Sequence, residues 1–190
     1  MLTEQDYINA ASILNVDVAA IKAVKEVESS GSGFLKDGHI KLLFEPHIFF
    51  RQLKARGINP YPLMEGNEDI LYAKWVTGKY GTINQQPERL ARAIAINEDA
   101  ALCSASYGLF QLMGFQYQAC GYDTVKAFYE DMCKDEATQL NIFCNFIKAN
   151  HYDDELREHK WEEFALLFNG SGYRKNKYHI KLENAYNKYK

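Results

Sequence analysis

The sequence predicts a mostly α-helical protein of the α+β kind, a helical bundle with one small β-hairpin after the second helix. Three observations predict it. Helix start signals recur ahead of segments with apolar residues three and four apart, as at Thr3, Asp17, Pro87, Asp123 and Asp135. One stretch, Gly38 to Glu45, carries a short aliphatic run bounded by turn residues. The chain of 190 residues is 47% hydrophobic and 25% charged, which suits one soluble globular domain over residues 1–190.

The elements follow in order. Thr3 with Asp6 forms a capping-box pattern and opens a helix to about Leu14. Asp17 caps the second helix, which runs to Glu28. On it Ile21, Val24 and Glu28 share one face, and Lys22, Lys25 and Glu26 fall on the other. Ser29-Ser30-Gly31-Ser32-Gly33 then reads as a flexible turn. Gly38 to Glu45, between Asp37-Gly38 and Pro46, reads as a strand or short hairpin, and Phe49 to Ala55 as a short helix. Residues 56–70 hold Gly57, Asn59, Pro60, Pro62 and Gly66 and predict an exposed loop. Residues 72–87 continue irregularly. Their aromatic and amide groups suit sugar stacking and hydroxyl recognition, or equally a surface flap. Pro87-Glu88 opens a helix to about Cys103. Ser104 to Met113 begins with small residues and reads as an apolar helix at its end. Asp123 caps a helix through about Met132. Asp135 to Ala149 carries Leu140, Phe143, Cys144 and Ile147 at helical spacing. Trp161 to Phe168 forms one more, stopped by Asn169-Gly-Ser-Gly172. His179 to Tyr189 is a terminal helix.

Composition excludes several functions. A net charge of -3 argues against a nucleic-acid binder. The charge is uneven, since Arg174 to Lys190 holds six Lys/Arg against one Glu. This basic C-terminal helix either meets an anionic surface, such as phospholipid, lipopolysaccharide or a wall polymer, or is merely solvated. There is no apolar run of about 18 residues to span a membrane. The N-terminus is acidic and has no secretory pattern, so the chain is expected to be made in the cytosol and released by another agent. Cys103, Cys120, Cys133 and Cys144 stand 17, 13 and 11 residues apart, without zinc spacing, and are expected as free thiols unless an oxidising compartment pairs two of them. His39, His47, His151, His159 and His179 form no metal motif, and no GxSxG elbow occurs. Neither cofactor nor metal is expected.

The candidate chemistry centres on Glu28. It lies between aliphatics on its helix rather than among the charged residues, and it occupies a helix C-terminus, where the backbone dipole opposes a carboxylate. Burial and dipole both raise its pKa. A carboxylic acid that keeps its proton near neutral pH can donate it to a leaving oxygen. The alternative is a helix-end Glu that folds back to water.

Three blocks, Glu28-Ser-Ser-Gly31, Ala105-Ser-Tyr-Gly-Leu-Phe-Gln-Leu-Met113 and Phe168-Asn-Gly-Ser-Gly-Tyr173, stand in the order found in the lysozyme-like superfamily. They resemble goose-type lysozymes and soluble lytic transglycosylases in particular. Leu43-Phe-Glu-Pro-His-Ile-Phe49 is similar to a signature of the N-acetylmuramidase endolysins of phages and prophages of Gram-negative bacteria. The resemblance runs from about residue 10 to the end and leaves no room for a separate wall-binding module. It implies a lysozyme-like fold and cleavage of the β-1,4 bond between N-acetylmuramic acid and N-acetylglucosamine of peptidoglycan. It implies Glu28 as general acid, with Gln111 and the backbone around Tyr107 and Gly108 lining the floor and binding substrate. Asn169 and Tyr173 would face the acid. The third block departs from the aromatic-Asn-Ala-Gly run usual in transglycosylases, which leaves open which side chain there touches sugar. Such an enzyme would act as a monomer, made in the host cytoplasm and released across the inner membrane to reach its substrate.

Glycoside hydrolysis also needs a group for the oxocarbenium-like sugar. Glu45, 17 residues after Glu28, is the candidate second carboxylate. A separation of about 5 Å would suggest retention, and roughly 6.5–9.5 Å inversion. Otherwise Glu45 organises the turn before Pro46-His47 by bonding backbone N–H groups. Asp37 reads as a turn residue. The competing functions are a lytic transglycosylase, a catalytically dead wall-binding protein, and a membrane-disrupting basic tail.

Overall fold

The computed structural model describes residues 1–29 and 31–190; Ser30, in the turn after Glu28, lies outside them. The first helix, α1 (Glu4–Leu14), has the capping box its sequence specifies. Thr3 Oγ1 accepts from the Asp6 amide, and Asp6 Oδ2 accepts from the Thr3 amide at 2.6 Å. Asn15, in the left-handed region at φ 53°, ends it. Asp17 Oδ1 accepts from the Ala20 amide at 2.7 Å and opens α2 (Val18–Glu28), bent 108° from α1. The inner face of α2, Ala19, Ala20, Ile21, Ala23 and Val24, is buried.

A tight turn at Asp37-Gly38 closes a bridge between Phe34 and Ile40, and β1 (Leu42–Phe44) follows. Pro46 sits in the first turn of α3 (Pro46–Ala55), where a missing N–H costs nothing. Residues 56–85 are irregular, with two short 3-10 turns. They are less exposed than their composition predicts, because Pro60, Ile70, Leu71 and Tyr72 are buried.

Two expectations fail in the next stretch. The helix opened by Pro87 does not run to Cys103. It breaks into α4 (Gln86–Ile96) and α5 (Glu98–Leu102) at Asn97, whose extended backbone and side-chain acceptor cap the second piece at the Ala100 amide. Ser104 to Met113 is not helical. It forms β2 (Ala105–Tyr107) and β3 (Leu112–Met113), which join β1 in one antiparallel sheet of order β1-β2-β3. Leu42 pairs with Tyr107, Phe44 with Ala105, and Tyr107 with Leu112. Positive φ at Gly108 (70°) and Gln111 (49°) reverses the chain where a helix would need both negative.

Thr124, rather than Asp123, caps α6 (Val125–Met132), and Asp135 caps α7 (Glu136–Ala149). A short α8 (Asp153–Arg157), not anticipated, precedes α9 (Trp161–Asn169). After a 3-10 turn come α10 (Tyr173–Asn176) and α11 (Tyr178–Tyr189). One contiguous apolar cluster draws on both the helices and the sheet, with α7 through it; Leu140, Phe143, Cys144 and Ile147 have essentially no exposure. The four cysteines are free thiols, with Cys133 exposed. Among the described residues no single helix is long and apolar enough to cross a membrane.

Candidate active site

Glu28 is the last residue of α2, and the site is built around it. Its Oε1 accepts a hydrogen bond from Asn169 Nδ2 at 2.9 Å, where α9 ends. Burial pushes its carboxyl from 4.5 up to about 6, against the opposing effects of the Asn169 donor and the Lys181 ammonium. A groove of 710 Å³ opens over it, with Val27, Glu28 and Ser29 on one side and Tyr178, Lys181 and Asn184 on the other. The Ser29 hydroxyl turns back to the Lys25 carbonyl at 2.5 Å and closes the helix end.

The far wall is α11, the basic terminal helix. Leu182 and Ala185 are buried, and α11 packs along α2. Lys188 pairs with Glu26 at 2.7 Å, and the Tyr186 hydroxyl donates to Asp17 Oδ2 at 3.1 Å. This helix is therefore half of the groove, and exposed Lys175, Lys177 and Lys190 lie just before and just after it.

Glu45 precedes α3 and makes no side-chain cap. Its Oε2 accepts from the Tyr80 hydroxyl and lies 3.3 Å from His47 Nδ1. Burial lowers the His47 pKa despite the neighbouring carboxylate, so this imidazole is neutral at pH 7. The carboxylate is thus held by the Tyr80 hydroxyl, not by the backbone N–H groups expected of a turn organiser. Among the described residues Glu28 and Glu45 share no hydrogen-bond partner. Asp37 accepts from the His39 amide at 3.1 Å in an exposed turn, as its Asp-Gly sequence suggests.

The other expected residues divide. Gln111 folds over the β2–β3 turn: its Nε2 donates to the Gly108 carbonyl at 2.8 Å and its Oε1 accepts from Ser106 Oγ at 2.9 Å. Tyr107 is wholly buried against Phe128 and Tyr129, with its hydroxyl donating to the Leu102 carbonyl at 2.9 Å. Only its backbone is left for a floor. Tyr173 is not turned to the acid as expected. Its hydroxyl donates to Glu162 at 2.7 Å and accepts from Arg174. The tyrosine beside Glu28 is Tyr178, whose phenol is held above its ordinary pKa by burial and by the Glu28 charge. Tyr178 and Lys181 carry no motif, and only the docking of α11 on α2 reveals them.

Two residues of α7 that no sequence signal marks hold the surrounding loops. Glu136 Oε1 accepts from Ser32 Oγ at 2.8 Å and from the Gly33 amide at 2.9 Å, just beyond Glu28. One turn on, Gln139 is fully buried. Its Oε1 accepts from the Leu109 amide and its Nε2 donates to the Met132 carbonyl, both at 2.9 Å. A Cβ at Gly33 or Gly108 would lie 2.1 or 2.6 Å from Gln139 Oε1, so both loops need glycine there. A further turn along α7, Phe143 stacks on Phe110 at 4.1 Å and meets Phe168, the neighbour of Asn169, edge-on.

An acid at a helix end takes an amide donor from a later helix, and α7 braces both the loop after the acid and a β-turn with a folded-over glutamine. The sequence over residues 17–190 matches the family model for N-acetylmuramidase. The chain belongs to the N-acetylmuramidase family. Among solved structures the muramidase resembles the crystal structure of the Burkholderia AP3 phage endolysin, at 42% identity and a TM-score of 0.91. The match covers 99% of this chain and 71% of that one. None of the curated proteins matches it. As a family member the chain is a glycoside hydrolase of the lysozyme type.

Proposed function

We propose that this muramidase is a phage-type endolysin that hydrolyses the β-1,4 bond between N-acetylmuramic acid and N-acetylglucosamine, with Glu28 as general acid. The observation that carries this reading is the Glu28 carboxyl, protonated up to about pH 6, in the lining of an open groove. Asn169 binds Oε1 and fixes the carboxyl plane, leaving Oε2 to carry the proton toward the leaving glycosidic oxygen. The β2–β3 turn, braced by Gln111, offers backbone groups to the sugar acetamides and hydroxyls.

Glu45 is the second carboxylate in this reading, acting on the muramoyl C1 side directly or through water. It bonds Tyr80 in the free enzyme, so that hydrogen bond must be exchanged as substrate enters. The same reading places the enzyme on peptidoglycan as a monomer, after synthesis in the host cytoplasm and passage across the inner membrane. The exposed lysines of the C-terminal segment meet anionic wall or outer-membrane polymer.

Digestion of purified sacculi followed by mass spectrometry tests the chemistry. Hydrolysis leaves reducing muramic acid ends. Products ending in 1,6-anhydromuramic acid would replace this reading with transglycosylation, and binding without release of fragments would make the protein a wall-binding module.

A further inference from the structure

The two walls of the groove differ in charge. On α11, Tyr178, Lys181 and Lys188 face the end of α2. Lys188 is answered by Glu26 at 2.7 Å. Lys181 makes no ion pair among the described residues; its ammonium stands 5.3 Å from the centre of the Tyr178 ring. Its side chain is exposed at the groove, and its field reaches the Glu28 carboxyl. An unpaired cation beside the acid is a poor match for a neutral glycan, which offers only hydroxyls and acetamides. It also favours the ionised form of Glu28, so it works against the general acid. A compensating use on the substrate side accounts for it.

Muramic acid differs from N-acetylglucosamine by an O3-lactyl arm. That arm ends in a free carboxylate or, when amidated, in a peptide stem with carboxylates of its own. We propose that Lys181, with the Tyr178 ring beneath it and Asn184 one turn on, forms a subsite for a carboxylate borne on the muramoyl arm. The groove then selects muramoyl sugar by charge as well as by shape. This deepens the muramidase reading and rests on it.

The test compares wild type with Lys181→Met and Lys181→Arg, and uses Lys54→Met, an exposed lysine of α3 outside the groove, as control. Three probes are used: intact sacculi, amidase-stripped glycan strands that keep the free lactyl carboxylate, and chitohexaose as a carboxylate-free competitive inhibitor. We expect Lys181→Met to raise KM on an anionic substrate about two- to fivefold, the worth of an exposed ion pair. The inhibition constant of chitohexaose should stay constant, Lys181→Arg should restore most of the loss, and Lys54→Met should behave as wild type. A loss confined to sacculi assigns the stem carboxylate, and a loss on stripped strands assigns the lactyl carboxylate. Equal changes on all three probes, or no change on either anionic substrate, would overturn the subsite. If wild type releases no reducing ends, the hydrolase reading fails instead. Co-sedimentation of the variants with sacculi would then still report whether Lys181 binds.

Discussion

At the scale of single residues, the Glu28 proton sets both stability and rate. Burial raises the carboxyl from 4.5 to about 6, so the folded chain binds this proton more tightly than the unfolded one. The resulting stabilisation is complete below the unfolded pKa and is lost as pH rises through 6. At pH 8 the ionised side chain costs about 2 kcal/mol, at ~1.4 kcal/mol per pH unit. Glu28→Gln removes that cost. Urea titration should show the variant gaining about 2 kcal/mol on wild type between pH 4 and pH 8. The same protein should lose about 10²–10⁴-fold in sacculus clearing. Wild-type-like clearing by this variant would remove Glu28 from the mechanism. A general acid must hold its proton, so kcat/KM of the wild type should decline above about pH 6. Asn169 donates to the ionised carboxylate and holds the pKa down; Asn169→Leu should therefore move the alkaline limb to higher pH. A limb that stays in place would deny Asn169 its contact with the acid.

At the scale of elements, the irregular stretch before α4 is held at two points. Gln86, almost wholly buried, donates to the Tyr80 carbonyl at 2.6 Å and the Thr82 carbonyl at 3.0 Å, and accepts from the Phe44 amide. Tyr80 itself ties the stretch to Glu45. Removing one such hydrogen bond costs about 1–2 kcal/mol, a factor of roughly 5–30 in local opening. Tyr80→Phe should speed amide exchange across residues 73–82 by that factor, with little change in Tm because Trp75 and its neighbours are exposed. Unchanged exchange would mean the tether does not hold the flap. This flap also shows where sequence reading runs out. Helices with local signals, α1, α2 and α7, were legible because Thr3, Asp17 and Asp135 cap them through contacts three residues away. The second strand pair was not. Ser104 to Met113 has helix-compatible side chains, and its turn depends on Gly108 meeting Gln139, 31 positions away in sequence. Glu28 and Asn169 could be nominated from their blocks. Tyr178 could not, because the groove wall exists only when α11 lies on α2.

At the scale of the whole molecule, α7 is the strut on which the site is assembled. Its positions 136, 139 and 143 lie along one face and touch, in turn, the loop after Glu28, the β2–β3 turn, and the aromatic pair Phe110 and Phe168 beside Asn169. None of these α7 side chains is bonded to the acid; Glu136 holds the loop that follows it, Gln139 the β2–β3 turn, and Phe143 the neighbour of its partner Asn169. Gln139 is the most demanding, since both ends of its amide are used inside the core. Gln139→Leu keeps the volume but strands the Leu109 N–H and the Met132 carbonyl, at about 1–3 kcal/mol each. At roughly 2–4 °C per kcal/mol for a domain of this size, Tm should fall on the order of ten degrees. Glu136 bonds the loop after the acid and lies 3.4 Å from the N-terminal ammonium, and its partners Ser32 and Met1 are exposed, so Glu136→Gln should cost less. The larger effect is therefore expected at the neutral residue. Calorimetry of the two variants at pH 7 checks that order. A greater loss at Glu136 would mean that the charge near Gly33, rather than the amide between the two loops, holds the parts of the site together.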